Sequence, residues 1–454
     1  FLYRYKEQSE DIGVAGGAVT ISAATAIAGF VALIAARHPA LSSIGLAAGI
    51  VIGSGFVAAV VVPPLAMRVL LWENGRHGTP PLRTMFCGLT GIGFFGLALL
   101  WCRAALLPWL KVRYPDDAAS RRKAVQGFLR NSCRALFKYL PYGKRIFLNA
   151  GPQAFAKPAV IVCNHQSVID IISALNLPAN IRMVVKPWVW NSFFMGPVIR
   201  EAGYILTDGE NTGEMFSGAE ACLREGDFLL FFPEGTRSDT GQLSRFRKGA
   251  FEIAARAGAE VLPVLMCETR TCIPKTGFWV GDHRFVVSVM PRLQTAGRDT
   301  GELAREARRL MEEEYENALA IVCDGPELFK RIRSRYKYLG PYMEQYVYWK
   351  LRLDPLCRRI SEIVPQGTIL DLGQGCGLLA NLLAARSTRR SFIGIDYDAE
   401  KIAAARRSAV APERMKSEVG NILDAEFPET DTVLLIDVLH YWPPADQEKI
   451  LRKA

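Results

Sequence analysis

Ala159-Val160-Ile161-Val162-Cys163-Asn164-His165-Gln166-Ser167-Val168-Ile169-Asp170 decides how the middle of this chain is read. An unbroken apolar run stops at Asn164, and Ser167-x-x-Asp170 follows as a capping-type start to a helix. Strand, turn and helix in that order are the repeating unit of an α/β sheet. His165 and Asp170 are five positions apart, and five helical positions turn through about 500°, so on one helix they would not share a face. To meet, His165 must lie in the turn and Asp170 in the first helical turn. An imidazole there, titrating near neutrality, suits a general base whose tautomer a carboxylate holds. The same spacing also supports a plainer role, in which Asp170 caps the helix and His165 is structural.

Working outward, Phe228–Phe232 is a second apolar strand, and Pro233-Glu234-Gly235-Thr236-Arg237-Ser238 is a tight turn at its end. Arg237 offers a planar fork for phosphate or carboxylate; the alternative is an ordinary turn with a surface ion pair. Further strands are expected at Arg182–Val185, Tyr204–Leu206, Val261–Met266 and Phe285–Val289, with a closing helix over Glu302–Leu319.

The two blocks together resemble the glycerolipid (1-acylglycerol-3-phosphate type) acyltransferase family over roughly Val112 to Leu319. Ser244-Arg245-Phe246-Arg247-Lys248-Gly249-Ala250-Phe251 and Val261-Leu262-Pro263-Val264 match its downstream blocks. The resemblance implies an α/β fold and transfer of an acyl group from acyl-CoA or acyl carrier protein to a lipid-precursor hydroxyl. It implies His165 as base and Asp170 as its partner. It also implies Glu234, Gly235, Thr236 and Arg237 on the acceptor's phosphate-bearing end, with Lys248 adding positive potential. One departure stands out: Asp208-Gly209 occupies the place of the family's Asp-Arg, which puts lysophosphatidate in doubt as acceptor.

At 454 residues, length alone suggests about three domains. Half of the residues are hydrophobic. No Asp, Glu, Lys or Arg occurs in Ile12–Ala36, Pro39–Met67 or Thr84–Cys102. The first two runs exceed the ~20 residues that span a bilayer and the third approaches it. Gly45, Gly49 and Gly53 recur every four residues, the signature of close helix packing. Ser22-Ala23-Ala24-Thr25, Gly29-Phe30, Arg37-His38-Pro39-Ala40-Leu41 and Val61-Val62-Pro63-Pro64-Leu65 resemble the last two transmembrane helices of RND/MMPL-type lipid exporters. Arg68, Arg76 and Arg83 place the following loop in the cytoplasm. The third run, with Gly88, Gly91, Gly93 and Gly96, then reads as re-entrant or monotopic, keeping the catalytic part at the cytoplasmic face of a bacterial inner membrane.

Net charge is +10, and ten Lys/Arg against Asp116 and Asp117 crowd Lys111–Arg145. The interleaved Val125, Phe128, Leu129, Leu136, Phe137 and Leu140 predict an amphipathic helix lying on anionic lipid. No nucleic-acid motif accompanies the charge. The ten cysteines show no metal spacing and no disulfide framework, as expected of reduced thiols. The chain starts at Phe1 and stops at Ala454 inside a helical pattern, so it reads as a piece of a longer polypeptide.

Beyond a basic, Tyr-rich connection at 324–341, Thr368–Gly377 reads as a strand running into a glycine turn. Phe392–Asp396 ends in a carboxylate about twenty residues on, and Thr432–Ile436 ends at Asp437. With Gly420-Asn421, the set resembles class I S-adenosylmethionine-dependent methyltransferases. Gln374 and Asn421 replace the family's usual small residue and Asp. The resemblance implies that Asp371, Gly373, Gly375, Gly377, Asp396, Asn421 and Asp437 line a site for S-adenosylmethionine. No Gly-x-Gly-x-x-Gly fits, which disfavours NAD.

The expected fold is therefore multi-domain. Transmembrane α-helices occupy 1–110, an α/β acyltransferase 111–323, a linker 324–341, and a partial doubly wound, Rossmann-like methyltransferase 342–454. Membrane lipids, acyl carrier protein and exporter helices upstream are the expected partners. The alternatives are an exporter with two tailoring appendages, or a domain that binds lipid without turnover.

Overall fold

The computed structural model describes residues 38–73, 76–77, 82–139, 144–207, 212–238, 240–275, 280–281 and 283–454, with residues 22, 25, 26, 28 and 30. Most of the first charge-free run, most of the exporter-like residues before 38, and Asp208-Gly209 lie outside them. The chain divides into two compact units, 1–81 and 82–454.

In the first unit, the second charge-free run forms one 33-residue helix, α1 (Pro39–Leu71). Its Pro39–Phe56 stretch is long and apolar enough to cross a membrane. The described residues of this unit place no second helix against Gly49 or Gly53, where an added Cβ meets nothing within 4 Å.

The second unit opens with α2 (Leu82–Trp101), which passes through a wide helical turn at Cys102–Leu106 into α3 (Leu107–Arg113). The helix does not turn back at its glycines, which removes the re-entrant form of that expectation and leaves the monotopic one. Each costs a helix about 1 kcal/mol, and the apolar side chains between them sustain the helix. Phe86–Arg113 has the length and composition of a membrane span, yet Leu99, Cys102, Leu107 and Leu110 are buried in the core of the following domain.

The amphipathic basic helix forms as α4 (Ala118–Tyr139), but its apolar stripe faces protein. Val125 and Leu129 join the same core as Leu107 and Leu110, and Phe128 packs on Trp101 at 5.4 Å between ring centres. A lipid-lying helix and a core-lying one carry the same stripe, so periodicity alone does not separate them. Arg121 and Arg122 pair with Glu201 and Glu225.

A seven-stranded sheet follows. Its elements are β1 (Lys144–Leu148), β2 (Val160–Cys163), α5 (Val168–Ala174), β3 (Ile181–Val185), β4 (Ile205–Leu206), α6 (Thr212–Arg224), β5 (Phe228–Phe231), α7 (Gly249–Arg256), β6 (Val261–Cys267), β7 (Arg284–Val289) and α8 (Thr300–Val322). Strand order is β1-β7-β6-β2-β5-β3-β4, with β6 and β7 antiparallel and the other neighbours parallel. β2 and β6 are buried at every position, as expected of unbroken apolar runs covered on both faces. Asp299 caps α8 through the Glu302 N–H at 2.8 Å, and Leu303, Ala307, Met311, Tyr315, Ala318 and Val322 form its buried stripe. Because β6, β2, β5 and β3 run in parallel side by side, the loops after them converge on one edge of the sheet.

The segment from Asp324 to Pro341, expected as a linker, is chiefly helix. α9 (Gly325–Tyr336) buries Leu328, Arg331, Ile332 and Tyr336 at helical spacing, a stripe masked in the sequence by Lys330, Arg333 and Arg335. α10 (Pro341–Leu353) and α11 (Pro355–Ile363) lead into a second sheet. It comprises β8 (Gly367–Leu372), β9 (Arg390–Asp396), β10 (Met415–Val419) and β11 (Thr432–Leu435), in the order β10-β9-β8-β11, all parallel. α12 (Leu378–Arg386) and α13 (Ala399–Ser408) cross over between strands. One apolar core runs from Val160 and Phe251 through Leu319, Leu328 and Ile332 to Ile369 and Phe392, so the two sheets are joined by continuous packing. Of the ten cysteines, nine are buried and Cys376 is half-buried.

Candidate active sites

The loops at the carboxyl edge of the first sheet bring His165 and Asp170 together. His165 lies in the turn after β2 and Asp170 at the third position of α5, with His165 Nδ1 2.9 Å from Asp170 Oδ2. The capping role and the pairing role coexist. Ser167 caps α5, while Asp170 Oδ2 also accepts from the backbone N–H groups of Gln166 at 2.6 Å and Ser167 at 2.7 Å. Its other oxygen accepts from the Thr269 hydroxyl at 2.6 Å. Asp170 is fully buried. An oxygen already accepting two backbone N–H groups acts toward Nδ1 only as an acceptor. The neutral ring therefore carries its proton on Nδ1 and presents a lone pair at Nε2, which makes no hydrogen bond with the described residues. The ring stacks on Phe232, 4.2 Å between centres.

Glu234 corrects the sequence reading. Its carboxylate is buried and accepts from the backbone N–H of His165 at 2.9 Å and of Ser244 at 3.0 Å. Burial raises its carboxyl above the usual range, against the pull of those two amides and of His165. It ties the two blocks together and is not presented to an anion, which a carboxylate would in any case repel. Ser238 N–H donates to the His165 carbonyl at 2.7 Å, a second tie. Gly235 adopts a left-handed φ of 73°, which turns the chain.

Arg237 is half-buried and makes no hydrogen bond or ion pair with the described residues. Thr236 is exposed on the same turn. Lys248 is not brought to this turn. Its ammonium lies beside Gly301 and the Asp299 carboxylate at the start of α8, where it would meet a Cβ added to Gly301 at 3.0 Å. Its neighbour Arg247 takes the expected place, with its guanidinium carbon 3.1 Å from where a Gly235 Cβ would stand. Lys186, at the end of β3, donates to the Gly235 carbonyl at 2.7 Å. Sequence reading missed both cations, although Arg247 stands in a block already matched and Lys186 directly follows an identified strand.

Asn164 also has a concrete task. Its amide pairs with both backbone groups of Met266 (2.9 and 2.7 Å), fixing the turn to β6. Gln166 donates to the Tyr315 hydroxyl at 3.0 Å, which donates onward to Glu268 at 3.1 Å. Burial opposes charge on Glu268, but Arg270 and Arg331 outweigh it and hold its carboxyl at about 2.

In the second sheet, the parallel strands again place their carboxyl ends on one edge. Gly373, Gly375 and Gly377 have left-handed φ values of 80°, 56° and 69°. The Gly375 N–H donates to Asp396 Oδ2 at 2.8 Å, and the Asp398 N–H to Oδ1 at 3.0 Å. Burial, with Asp396 beside it, pushes the Asp371 carboxyl up to about 7. An added Cβ at Gly375 meets open space, whereas one at Gly373 strikes Val438 at 2.6 Å. The turn is thus a backbone cradle open at Gly375, next to a strand-end carboxylate, and it fits a nucleoside-type cofactor. Asn421 follows β10 and is engaged locally, with Asp424 and the Leu423 N–H. Asp437 follows β11 with a strained φ of 53°, its carboxylate 3.8 Å from Lys350.

Residues 146–267 match the Acyltransferase family model and residues 369–454 the Methyltransferase domain model. A 1-acyl-sn-glycerol-3-phosphate acyltransferase of Chlamydomonas reinhardtii is 36% identical over 125 residues, covering 26% of this chain and 36% of that protein. The human 1-acyl-sn-glycerol-3-phosphate acyltransferase alpha is 31% identical over 169 residues, 35% of this chain and 58% of its own length. The crystal structure of the 1-acyl-sn-glycerophosphate acyltransferase PlsC of Thermotoga maritima is 21% identical, covers 52% of this chain and 96% of its own, and gives a TM-score of 0.44. The chain spans between a third and three fifths of the length of these two curated relatives. By these matches, an acyltransferase domain is followed in this chain by a methyltransferase domain.

Proposed function

We propose that the first domain moves an acyl group from acyl-CoA or acyl carrier protein to a hydroxyl of a lipid precursor, with His165 as base and Asp170 as its orienting partner. The observation that carries this reading is the His165–Asp170 contact at 2.9 Å, which leaves Nε2 as the basic nitrogen. Nε2 takes the acceptor's hydroxyl proton as the oxygen attacks the thioester carbonyl. A C–O bond forms, the C–S bond breaks, and the thiolate leaves with the proton returned from the imidazolium. Arg237, Arg247 and Lys186 around Gly235 form a cationic corner for an anionic group on the acceptor. They supply charge that Asp208-Gly209 does not, and the names of the relatives make lysophosphatidate the first acceptor to test.

The proposed setting is the cytoplasmic face of a bacterial inner membrane. Two helices have the length and composition of spans, and Trp109, Trp188, Phe193 and Phe194 are exposed, with Arg103 set over Phe193. An export role rests on sequence resemblance alone. For the second domain, the Gly373–Gly377 turn and Asp396 would hold S-adenosylmethionine, which supplies an electrophilic methyl group when bound.

The test is acyl transfer in membranes expressing the chain, with labelled acyl donor and lysophosphatidate or a total lipid extract, beside His165→Ala. Label in phosphatidate that vanishes with His165 supports the reading. Label in another lipid that vanishes likewise keeps the chemistry and changes the acceptor. Absence of any His165-dependent label overturns it.

A further inference from the structure

Glu268 stands immediately after β6 and combines two costly features. Its φ is +65°, the left-handed region that a side chain disfavours, and its carboxylate is only 2% exposed. Backbone strain and buried charge persist together where surrounding structure imposes them, and a buried ion pair is itself weak evidence of added stability. The contacts around Glu268 indicate what it serves. Arg331 approaches one oxygen at 2.7 Å. Arg270, at 3.3 Å, and the Tyr315 hydroxyl, at 3.1 Å, reach the other. The Tyr315 hydroxyl accepts in turn from Gln166, the residue after His165, whose own backbone N–H donates to Asp170. The residue after Glu268 is Thr269, whose hydroxyl holds the other Asp170 oxygen. Two routes therefore lead from the Glu268 carboxylate to the His165–Asp170 pair, one through Tyr315 and Gln166 and one through the backbone to Thr269. Arg331, Glu268, Tyr315 and Gln166 are each less than a tenth exposed, so water does not replace a lost partner.

Arg331 belongs to α9, well past residues 146–267 that match the acyltransferase model. Five positions on, Tyr336 at the end of the same helix donates to the Cys376 carbonyl in the glycine turn of the methyltransferase and accepts from Asn381, both at 2.9 Å. α9 is thus held at its middle by the first site's support and at its C-terminal end by the second site's cofactor turn.

We propose that Arg331 is a positioning residue for acyl transfer, acting through Glu268, Tyr315 and Gln166 on the turn that carries His165. The acyltransferase site is then completed by a helix from the connection to the methyltransferase. This rests on His165 being the base.

The experiment uses the full chain in membranes and compares wild type, Arg331→Met, Arg331→Lys, Tyr315→Phe and His165→Ala. The pH profile of acyl transfer and the thermal midpoint are both recorded. Tyr315→Phe removes one hydroxyl and leaves the Arg331–Glu268 pair in place, so it tests the relay should Arg331→Met fold poorly. Expected in Arg331→Met and Tyr315→Phe is a roughly tenfold or greater fall in kcat with the donor KM little changed. The acid limb of the profile should also move by about half a pH unit or more. Arg331→Lys should recover part of both. Loss of folded protein alone lowers the amplitude and leaves the limb in place. An unmoved limb in folded Tyr315→Phe, with His165→Ala inactive, overturns the positioning role and leaves the base assignment standing. Activity retained in His165→Ala overturns the reading beneath it.

Discussion

Glu234 holds the backbone N–H of His165 at 2.9 Å, so the acidic residue of one motif sets the position of the proposed base in the other. Glu234→Gln keeps one acceptor oxygen and turns an amide NH2 toward the second N–H. Leaving one buried donor unmatched costs about 1–3 kcal/mol. The expected result is a lower thermal midpoint and a reduced kcat, while the acceptor KM changes less than about threefold. A large rise in acceptor KM with kcat intact would show that Glu234 contacts the acceptor after all.

Thr269→Val removes the hydroxyl that holds Asp170 Oδ1 and keeps its volume. A hydrogen bond to a charged group is worth about 1.5–3 kcal/mol, and each ~1.4 kcal/mol lost from the transition state slows the reaction tenfold. Steady-state acyl transfer should therefore fall about tenfold or more. Thr269→Ser, which retains the hydroxyl, should stay near wild type. Equal rates for the two variants would remove Thr269 from the support of Asp170.

The Asp371 carboxyl is held at about 7 in the folded chain by burial and by Asp396, against about 3.9 for an unfolded Asp. The folded state therefore binds the extra proton between those values. Its contribution to stability is complete below about pH 4 and is lost as pH rises toward 7. Asp371→Asn has no such titration. The thermal midpoint of the methyltransferase, followed from pH 5 to 8, should slope downward in wild type more steeply than in the variant. Parallel slopes would refute the elevated carboxyl.

Gly373→Ala and Gly375→Ala separate the two duties of the glycine turn. Both sites have left-handed φ, which costs a side chain about 1–2 kcal/mol. At Gly373 the new methyl also strikes Val438 at 2.6 Å, whereas at Gly375 it projects into open space. Gly373→Ala should lower the thermal midpoint the more. Gly375→Ala should chiefly weaken S-adenosylmethionine binding, measurable by calorimetry, and an unchanged affinity would place the cofactor elsewhere.

Central strands were readable because burial on both faces leaves an unbroken apolar signature: β2, β3, β5, β6 and β7 lie within a residue of their expected limits. The edge strands β1 and β10 were not read. Lys144-Arg145-Ile146-Phe147-Leu148 and Met415-Lys416-Ser417-Glu418-Val419 mix charge with apolar residues, as solvent-facing edges do. His165 and Asp170 were legible because five residues fix their geometry. Thr269 lies 99 positions from Asp170 and Tyr315 149 from Gln166, and their approach depends on strand order, which no local pattern encodes. The stripe of α4 was legible as a stripe, but a bilayer and a protein core call for the same one.

The ten thiols carry a practical consequence. Nine lie in the interior, and the tenth, Cys376, sits half-buried inside the glycine turn, its carbonyl held by Tyr336. Burial raises its thiol above the ordinary range, which leaves less thiolate and slows its alkylation. A thiol reagent added to the native chain should reach Cys376 before the nine buried thiols. The glycine turn therefore carries its own attachment point for a label, at the place where α9 meets the second sheet.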